Sequence, residues 1–212
     1  MKARFTLWLA LLCTALLAAD GPGPQKYSID FQKSEVGKAP DDFMILDGTF
    51  AVREVDGNKC LELAPDPIGN FGALFGPDAL VATDVIARIW SASTGKRFPE
   101  IGIGTNDAGG YKLFVLPARH VLELRKGDDA IASAPFDWTS GSWTRLRLRV
   151  EPKDKTWLIQ GKAWPADQKE PEAWTVHFQD TDAPPAGKAS IWGNDYSEQP
   201  IRFDDLSVEG SR

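Results

Sequence analysis

The sequence predicts an all-β domain folded as a sandwich of two antiparallel sheets. Apolar and polar residues alternate in short runs along the 212-residue chain, and a period of two is typical of half-buried strands. Turn-forming residues separate the runs, as in Asp56-Gly57-Asn58 and Lys126-Gly127-Asp128. After the first 19 residues, no apolar stripe has the 3.6-residue period of a helix. Many short strands joined by tight turns indicate a sandwich or jelly roll.

The alternation locates the predicted strands along the chain. They fall at residues 27–31, 49–54, 60–64, 71–75, 84–92, 100–105, 111–116, 121–126, 143–151, 156–164, 175–180, 189–192 and 202–208. The turns between them contain glycine, aspartate or asparagine, which adopt positive φ or form local side-chain turns.

The N-terminus has the pattern of a secretory signal peptide. Lys2 and Arg4 precede an apolar run at residues 5–17, and Ala18-Ala19-Asp20 offers a cleavage site after Ala19. The run is too short for a comfortable membrane span, which disfavours a retained anchor. A lipoprotein is also disfavoured, because Cys13 lies inside the apolar run. We therefore predict a secreted or periplasmic protein, with residues 20–212 as a single domain and no stable membrane insertion after cleavage.

Charge and cysteine content limit the possible partners. Cleavage would remove two bases and take the formal net charge from −6 to −8, which argues against a nucleic-acid surface as partner. Cys60 would then be the remaining cysteine, so no intramolecular disulfide can form. Cys60 lies in an alternating run, and free cysteines favour interiors, so we expect a buried, inert thiol.

The C-terminal tract resembles a known family. Its elements are Lys162-Ala163-Trp164-Pro165, Glu170-Pro171-Glu172-Ala173-Trp174, Ala186-Gly187-Lys188-Ala189-Ser190-Ile191-Trp192 and Arg202-Phe203-Asp204-Asp205-Leu206-Ser207-Val208. This order resembles the last strands of concanavalin A-like, laminin-G-like jelly rolls of secreted bacterial proteins, and Asp30-Phe31 with residues 37–40 and 48–52 resembles their opening. The resemblance implies a concanavalin A-like jelly-roll β-sandwich, in which the first strand pairs beside the last. It also implies carbohydrate as the ligand class.

Strand alternation selects candidate ligand-binding residues. Val85, Ala87 and Ile89 form one apolar set, and the apolar sets of the other two candidate strands are formed by isoleucines and an alanine. The resemblance implies that the outer face of one sheet is concave and holds the ligand. Among the side chains opposite the apolar sets, the candidates for that face are Arg88, Trp90, Glu100, Trp192 and Asn194. An indole stacks on the apolar face of a sugar, while arginine and asparagine bind its hydroxyl groups. Gly102 and Gly104 are expected to let a ligand approach the backbone. The alternative is that these tryptophans only pack the fold.

No motif in the sequence establishes catalysis. Family-16 glycoside hydrolases on this fold carry Glu-x-Asp-x-x-Glu, but here Glu54 and Asp56 are followed by Lys59 in the third position. Neither His120 nor His177 has a recognisable partner in the sequence. Whether the protein is an enzyme therefore remains open.

A structural calcium ion is implied by the resemblance alone. Related sandwiches hold Ca²⁺ between the first and last strands, and Asp204 matches the contributing position with Asp30 on the neighbouring strand. Carboxylate oxygens suit this ion. The alternative is that these aspartates cap an edge or a turn.

The sequence predicts a secreted sandwich that binds a glycan or glycoside on its concave face. Two alternatives stay open: a glycoside-processing enzyme of the 3-keto-disaccharide hydrolase branch, and an adhesion or structural module without a small ligand.

Overall fold

The computed structural model describes residues 23–66 and 69–211 as two antiparallel sheets packed face to face. The predicted signal peptide at residues 1–19 lies outside the described residues. Within the described residues, no helix is long and apolar enough to cross a membrane.

Fifteen strands and one short 3₁₀ helix make up the described fold. In chain order the strands are β1 (Gln25–Ile29), β2 (Met44–Asp47), β3 (Phe50–Val55), β4 (Asn58–Leu63), β5 (Phe71–Leu80), β6 (Ala82–Ser91), β7 (Glu100–Gly104), β8 (Tyr111–Leu116), β9 (Val121–Lys126), β10 (Asp129–Pro135), β11 (Ser142–Lys153), β12 (Thr156–Pro165), β13 (Val176–Asp180), β14 (Gly187–Asn194) and β15 (Ile201–Ser211). The 3₁₀ helix covers Pro117–Arg119 between β8 and β9.

The eight-stranded sheet has the order β13-β12-β11-β6-β15-β4-β3, and β1 also pairs with β15. Tyr27 lies opposite Val208, so the predicted pairing of the first strand with the last is confirmed. The seven-stranded sheet has the order β10-β9-β8-β7-β14-β5-β2. Both sheets are antiparallel throughout, and the fold is the predicted concanavalin A-like sandwich.

The core lies between the sheets and follows the predicted alternation. Val85, Ala87 and Ile89 of β6 are fully buried, as are Ile101 and Ile103 of β7. Each large aliphatic side chain removed from water in this way contributes about 1.5–3 kcal/mol before the cost of ordering the chain. The residues between them therefore point to the outer faces of the two sheets.

Two edge strands of the seven-stranded sheet were not predicted. All four residues of β2 are exposed, so β2 shows no alternation between buried and exposed positions. β10 is rich in alanine and has no fully buried side chain. Edge strands that bury little have a weak hydrophobic signal, because their position depends on the neighbouring strand rather than on their own pattern.

A β-bulge in β15 shapes the outer face of the eight-stranded sheet. Asp204 lies opposite Arg88 and Ser207 lies opposite Ile86, so β15 uses one more residue than β6 over this stretch. Asp205 adopts a positive φ of 49° within the bulge. The extra residue turns both aspartate carboxylates toward the same outer face, where regular alternation would have sent only one of them.

Candidate functional site

The structure divides the five predicted ligand-binding residues between two surfaces. Arg88 and Trp90 lie on β6 and point outward from the eight-stranded sheet. The other three, Glu100, Trp192 and Asn194, lie on β7 and β14 and point outward from the seven-stranded sheet. The prediction that each side chain points away from the core is confirmed. The prediction of one shared surface is wrong, because alternation assigns a face within a strand but not the sheet to which that strand belongs.

On the seven-stranded sheet, Trp192 is closed off by the protein itself. Its exposed fraction is 5%, its Nε1 donates to the Ser190 hydroxyl at 2.8 Å, and the Lys112 ammonium lies 4.3 Å from the ring centroid. Asn194 donates to Glu100 Oε2 at 3.0 Å. These contacts leave little of the indole for a ligand.

The glycines beside Trp192 accommodate aromatic rings of the protein. A Cβ at Gly72 would lie 2.6 Å from the Trp192 ring, and one at Gly104 would lie 3.1 Å from its Nε1. A Cβ at Gly102 would approach the Phe114 ring to 2.8 Å. The space beside Gly102 and Gly104, which was predicted to admit a ligand, is filled by the rings of Phe114 and Trp192. These two side chains form a small second core with Leu116.

The eight-stranded sheet carries a more open aromatic surface. Trp143 of β11 lies directly opposite Trp90, and Arg202 of β15 lies opposite Trp90 on its other side. The Arg202 guanidinium lies 4.4 Å from the Trp90 ring centroid, and that of Arg88 lies 4.5 Å from the Trp143 ring centroid. Both indoles are partly exposed. The result is a pair of indoles, each with a guanidinium on one face.

Two cavities adjoin this pair of indoles and share Arg88 and Trp143. The first, of about 460 Å³, extends past Trp90 and Arg202 to Asn58 and Asp56 in the β3–β4 hairpin. The second, of about 450 Å³, extends to Asp167 just beyond β12. We refer to the two cavities together as the Trp143 furrow.

Carboxylates hold the arginines of the furrow in place. Arg88 donates to Asp204, and its Nε lies 3.1 Å from Asp205 Oδ2. Arg202 donates from Nε to Glu62 at 2.9 Å. These ion pairs fix the orientation of two partly buried guanidiniums beside the indoles.

The carboxylate of Asp204, the predicted calcium ligand, accepts hydrogen bonds from donors of the protein itself. Asp204 is 1% exposed, and its oxygens accept hydrogen bonds from Arg88, from Asn58 Nδ2 at 2.8 Å and from the Asp205 amide at 2.8 Å. Asp30 lies in the loop after β1, is exposed, and accepts from the Gln32 amide at 3.1 Å. The described residues contain no group of three or more His, Cys, Asp or Glu side chains placed to hold a metal. The calcium site stays a prediction of the resemblance.

A second cluster of cationic side chains surrounds Trp174. The Lys162 ammonium lies 4.6 Å from the Trp174 ring centroid, and the Arg149 guanidinium lies 5.0 Å from it. Burial raises the pKa of Asp84, but hydrogen bonds from Arg147 and Arg149 outweigh this and hold it below its ordinary value. Arg147 and Arg149 of β11 are thereby fixed in ion pairs with Asp84.

Trp143 and Arg202 are the site residues that sequence reasoning missed. Trp143 continues the outward set of Arg145, Arg147 and Arg149, so alternation could have identified its face. Its position beside Trp90 depends on the pairing of β11 with β6, which are separated by about fifty residues and which no local pattern connects.

Comparisons with known proteins identify the fold and no family. No protein-family profile and no curated protein sequence matches the chain. Among solved structures, a carbohydrate-binding module (CBM66) from Bacillus subtilis is similar at 12% identity with a TM-score of 0.54, covering 80% of this chain and 96% of that one. The apo Crh5 transglycosylase has 11% identity and a TM-score of 0.58, covering 88% and 85%. Lectin UEA-II complexed with galactose has 9% identity and a TM-score of 0.54, covering 88% and 98%.

Proposed function

We propose that the protein binds carbohydrate in the Trp143 furrow. The observation that carries the proposal is the pair of partly exposed indoles on neighbouring strands, Trp90 and Trp143, which line the first cavity, with Trp143 also lining the second. An indole contacts the C–H face of a pyranose, and the guanidiniums of Arg88 and Arg202 donate to its hydroxyl groups. Each cavity has the volume of a small-ligand site.

The structural neighbours support this ligand class. Their names include a carbohydrate-binding module and a lectin complexed with galactose. The proposal places Arg88 and Trp90 in the site and leaves Glu100, Trp192 and Asn194 outside it, because the last three lie on the other sheet. It also includes export of residues 20–212 after signal cleavage.

A glycan array with residues 20–212, followed by calorimetry with the strongest ligand, tests the proposal. Trp143→Ala should weaken binding by roughly ten- to a hundredfold, because loss of a stacking platform costs about 1–3 kcal/mol. Tyr196→Ala is the matched control, since Tyr196 is an exposed aromatic residue outside the furrow. Unchanged affinity in Trp143→Ala, with both variants folded by circular dichroism, would contradict the proposed site.

A glycoside-processing activity is the second candidate function. One structural neighbour is named as a transglycosylase, and the exposed carboxylates of Asp56 and Asp167 line the two cavities. Incubation of the bound glycan with the protein, followed by mass spectrometry, separates the two functions. A binding protein leaves the glycan unchanged, whereas an enzyme yields shorter or recombined chains.

A further inference from the structure

We propose that the Trp143 furrow takes an extended, neutral oligosaccharide that lies across the strands, rather than a single terminal sugar or an acidic glycan. This inference rests on the proposed function and specifies its ligand class.

The length of the furrow is the first argument. Its two cavities run from the start of β4 to just past β12, across the strand order β4-β15-β6-β11-β12. Neighbouring strands lie about 4.8 Å apart, so the four intervals span roughly 19 Å. A single pyranose would occupy one cavity and leave the other vacant. A chain of several sugars would pass over Trp143, which lines both.

The position of Trp143 is the second argument. Trp143, like Arg88, lines both cavities. It therefore lies at the middle of the furrow rather than at an end. A ligand that contacts Trp143 can therefore continue in both directions along the surface. This is the geometry for binding within a chain, in which neither terminus of the glycan needs to be recognised.

The charges of the furrow are the third argument. Its cations, Arg88 and Arg202, already contact carboxylates. Its two ends carry the exposed side chains of Asp56 and Asp167. A polyanionic glycan would meet unpaired carboxylates at both ends and no free cation among these lining residues. A neutral chain meets hydrogen-bond donors in the middle and acceptors at the ends, which match its hydroxyl groups.

Calorimetry with cello-, laminari-, xylo- and manno-oligosaccharides of one to six sugars tests the length. For at least one series, affinity should rise at least tenfold from the monosaccharide to the tetrasaccharide and then level off. Affinity should change less than twofold between 50 mM and 500 mM NaCl, because no net charge pairing contributes. A monosaccharide that binds as tightly as its tetrasaccharide overturns the inference.

Variants at the two ends test the direction. Asp56→Gly keeps the turn, because Asp56 has a positive φ of 52° that glycine adopts freely, and Asp167→Ala changes an exposed side chain. Each should weaken the hexasaccharide severalfold and leave the disaccharide within twofold. Tyr196→Ala should leave both unchanged. Equal affinity of wild type and both end variants for the hexasaccharide overturns the proposed path.

An acidic probe and the glycan array separate this inference from the proposed function. Hexagalacturonate should bind at least tenfold more weakly than the best neutral hexasaccharide. Stronger binding of hexagalacturonate, or array binding restricted to single terminal sugars, would overturn the extended neutral ligand while leaving carbohydrate binding in place. Binding to no glycan at all would overturn both.

Discussion

Cys60 is a buried thiol that lines the Trp143 furrow. Cys60 is 1% exposed, as the sequence predicted, yet it lies on the outer face of β4 and lines the first cavity. Burial raises its pKa to about 11, and the nearby carboxylates of Asp204 and Glu62 add to the rise that Arg202 opposes. At neutral pH the group is therefore a protonated thiol that packs as a small apolar side chain.

Iodoacetamide at pH 8 should label Cys60 slowly in the native protein and rapidly in urea. The physical reason is that only the thiolate attacks the reagent, and burial suppresses the thiolate. Cys60→Ser should lower the free energy of unfolding by about 1–2 kcal/mol, because a buried hydroxyl group costs more to remove from water than a thiol. Mass spectrometry measures the labelling and urea titration the stability. Equal labelling rates in native and denatured protein would contradict the buried, protonated thiol.

At the scale of elements, a polar clasp links the two sheets through Asp180 of β13. Its Oδ2 accepts from the Tyr111 hydroxyl of β8 at 2.7 Å and from the Lys126 ammonium of β9 at 2.7 Å. Burial raises the pKa of Asp180, but the hydrogen bonds from Lys126, the Asp182 amide and Tyr111 outweigh it and lower the pKa to about 2. The carboxylate is ionised in the folded protein at all but very acidic pH.

Stability from the Asp180 clasp should depend on pH with a defined sign. A lowered folded pKa means that the clasp stabilises fully above the unfolded pKa of 3.8 and loses this contribution as pH falls through about 2. Asp180→Asn should therefore be less stable than wild type at pH 6, and the difference should shrink between pH 4 and pH 2. Urea midpoints measured across this range test the prediction, with Asp128→Asn, an exposed carboxylate paired with Lys112, as the control. A difference that stays constant down to pH 2 would contradict it.

The sequence predicted strands far better than it predicted which strands meet. Tyr111–Leu116 and Val121–Lys126 were predicted with their observed bounds, because short apolar-rich runs bounded by turn residues are local properties of the sequence. The grouping of Arg88 and Trp90 with Glu100 and Trp192 failed, because β6 and β7 are consecutive in the chain but belong to opposite sheets. Sheet assignment depends on long-range burial, which a period of two does not encode.

Only part of the furrow could be predicted from the sequence, because its residues come from strands that are distant in the chain. Arg88 and Trp90 were identified from alternation alone, whereas their contacts with Trp143, Arg202 and Asn58 required the order of five strands. The bulge at Asp205 is also non-local, because the extra residue is defined only by counting against β6. The local pattern predicts which side chains point outward, whereas the order of the strands in the sheet determines which of them meet in the furrow.

At the scale of the whole molecule, the two ends of the described chain complete the sandwich together. β15 pairs with β4 through Ile201–Phe203 and with β1 through Leu206–Gly210, so β1 and β4 share one edge of β15. Phe31, which follows β1, is 1% exposed and packs against Phe43 at a centroid distance of 6.0 Å. Tyr27 packs against Phe75, also at 6.0 Å. The first strand therefore covers an aromatic cluster that also contains Phe43 and Phe75, which stack at a centroid distance of 5.8 Å.

Removal of residues 20–31 should destabilise the entire sandwich rather than fray one edge. The deletion takes away the fully buried Phe31 and the partly buried Tyr27 and Ile29, and each such side chain contributes up to about 1.5–3 kcal/mol. A loss of about 4–6 kcal/mol corresponds to a fall in Tm of at least roughly 10 °C for a domain of this size. A variant lacking only residues 20–24, which precede β1, should keep the Tm of residues 20–212 within about 2 °C. Circular dichroism melts of the three proteins measure this, and a cooperative melt of the longer deletion at the wild-type Tm would show that β1 is not needed to close the core.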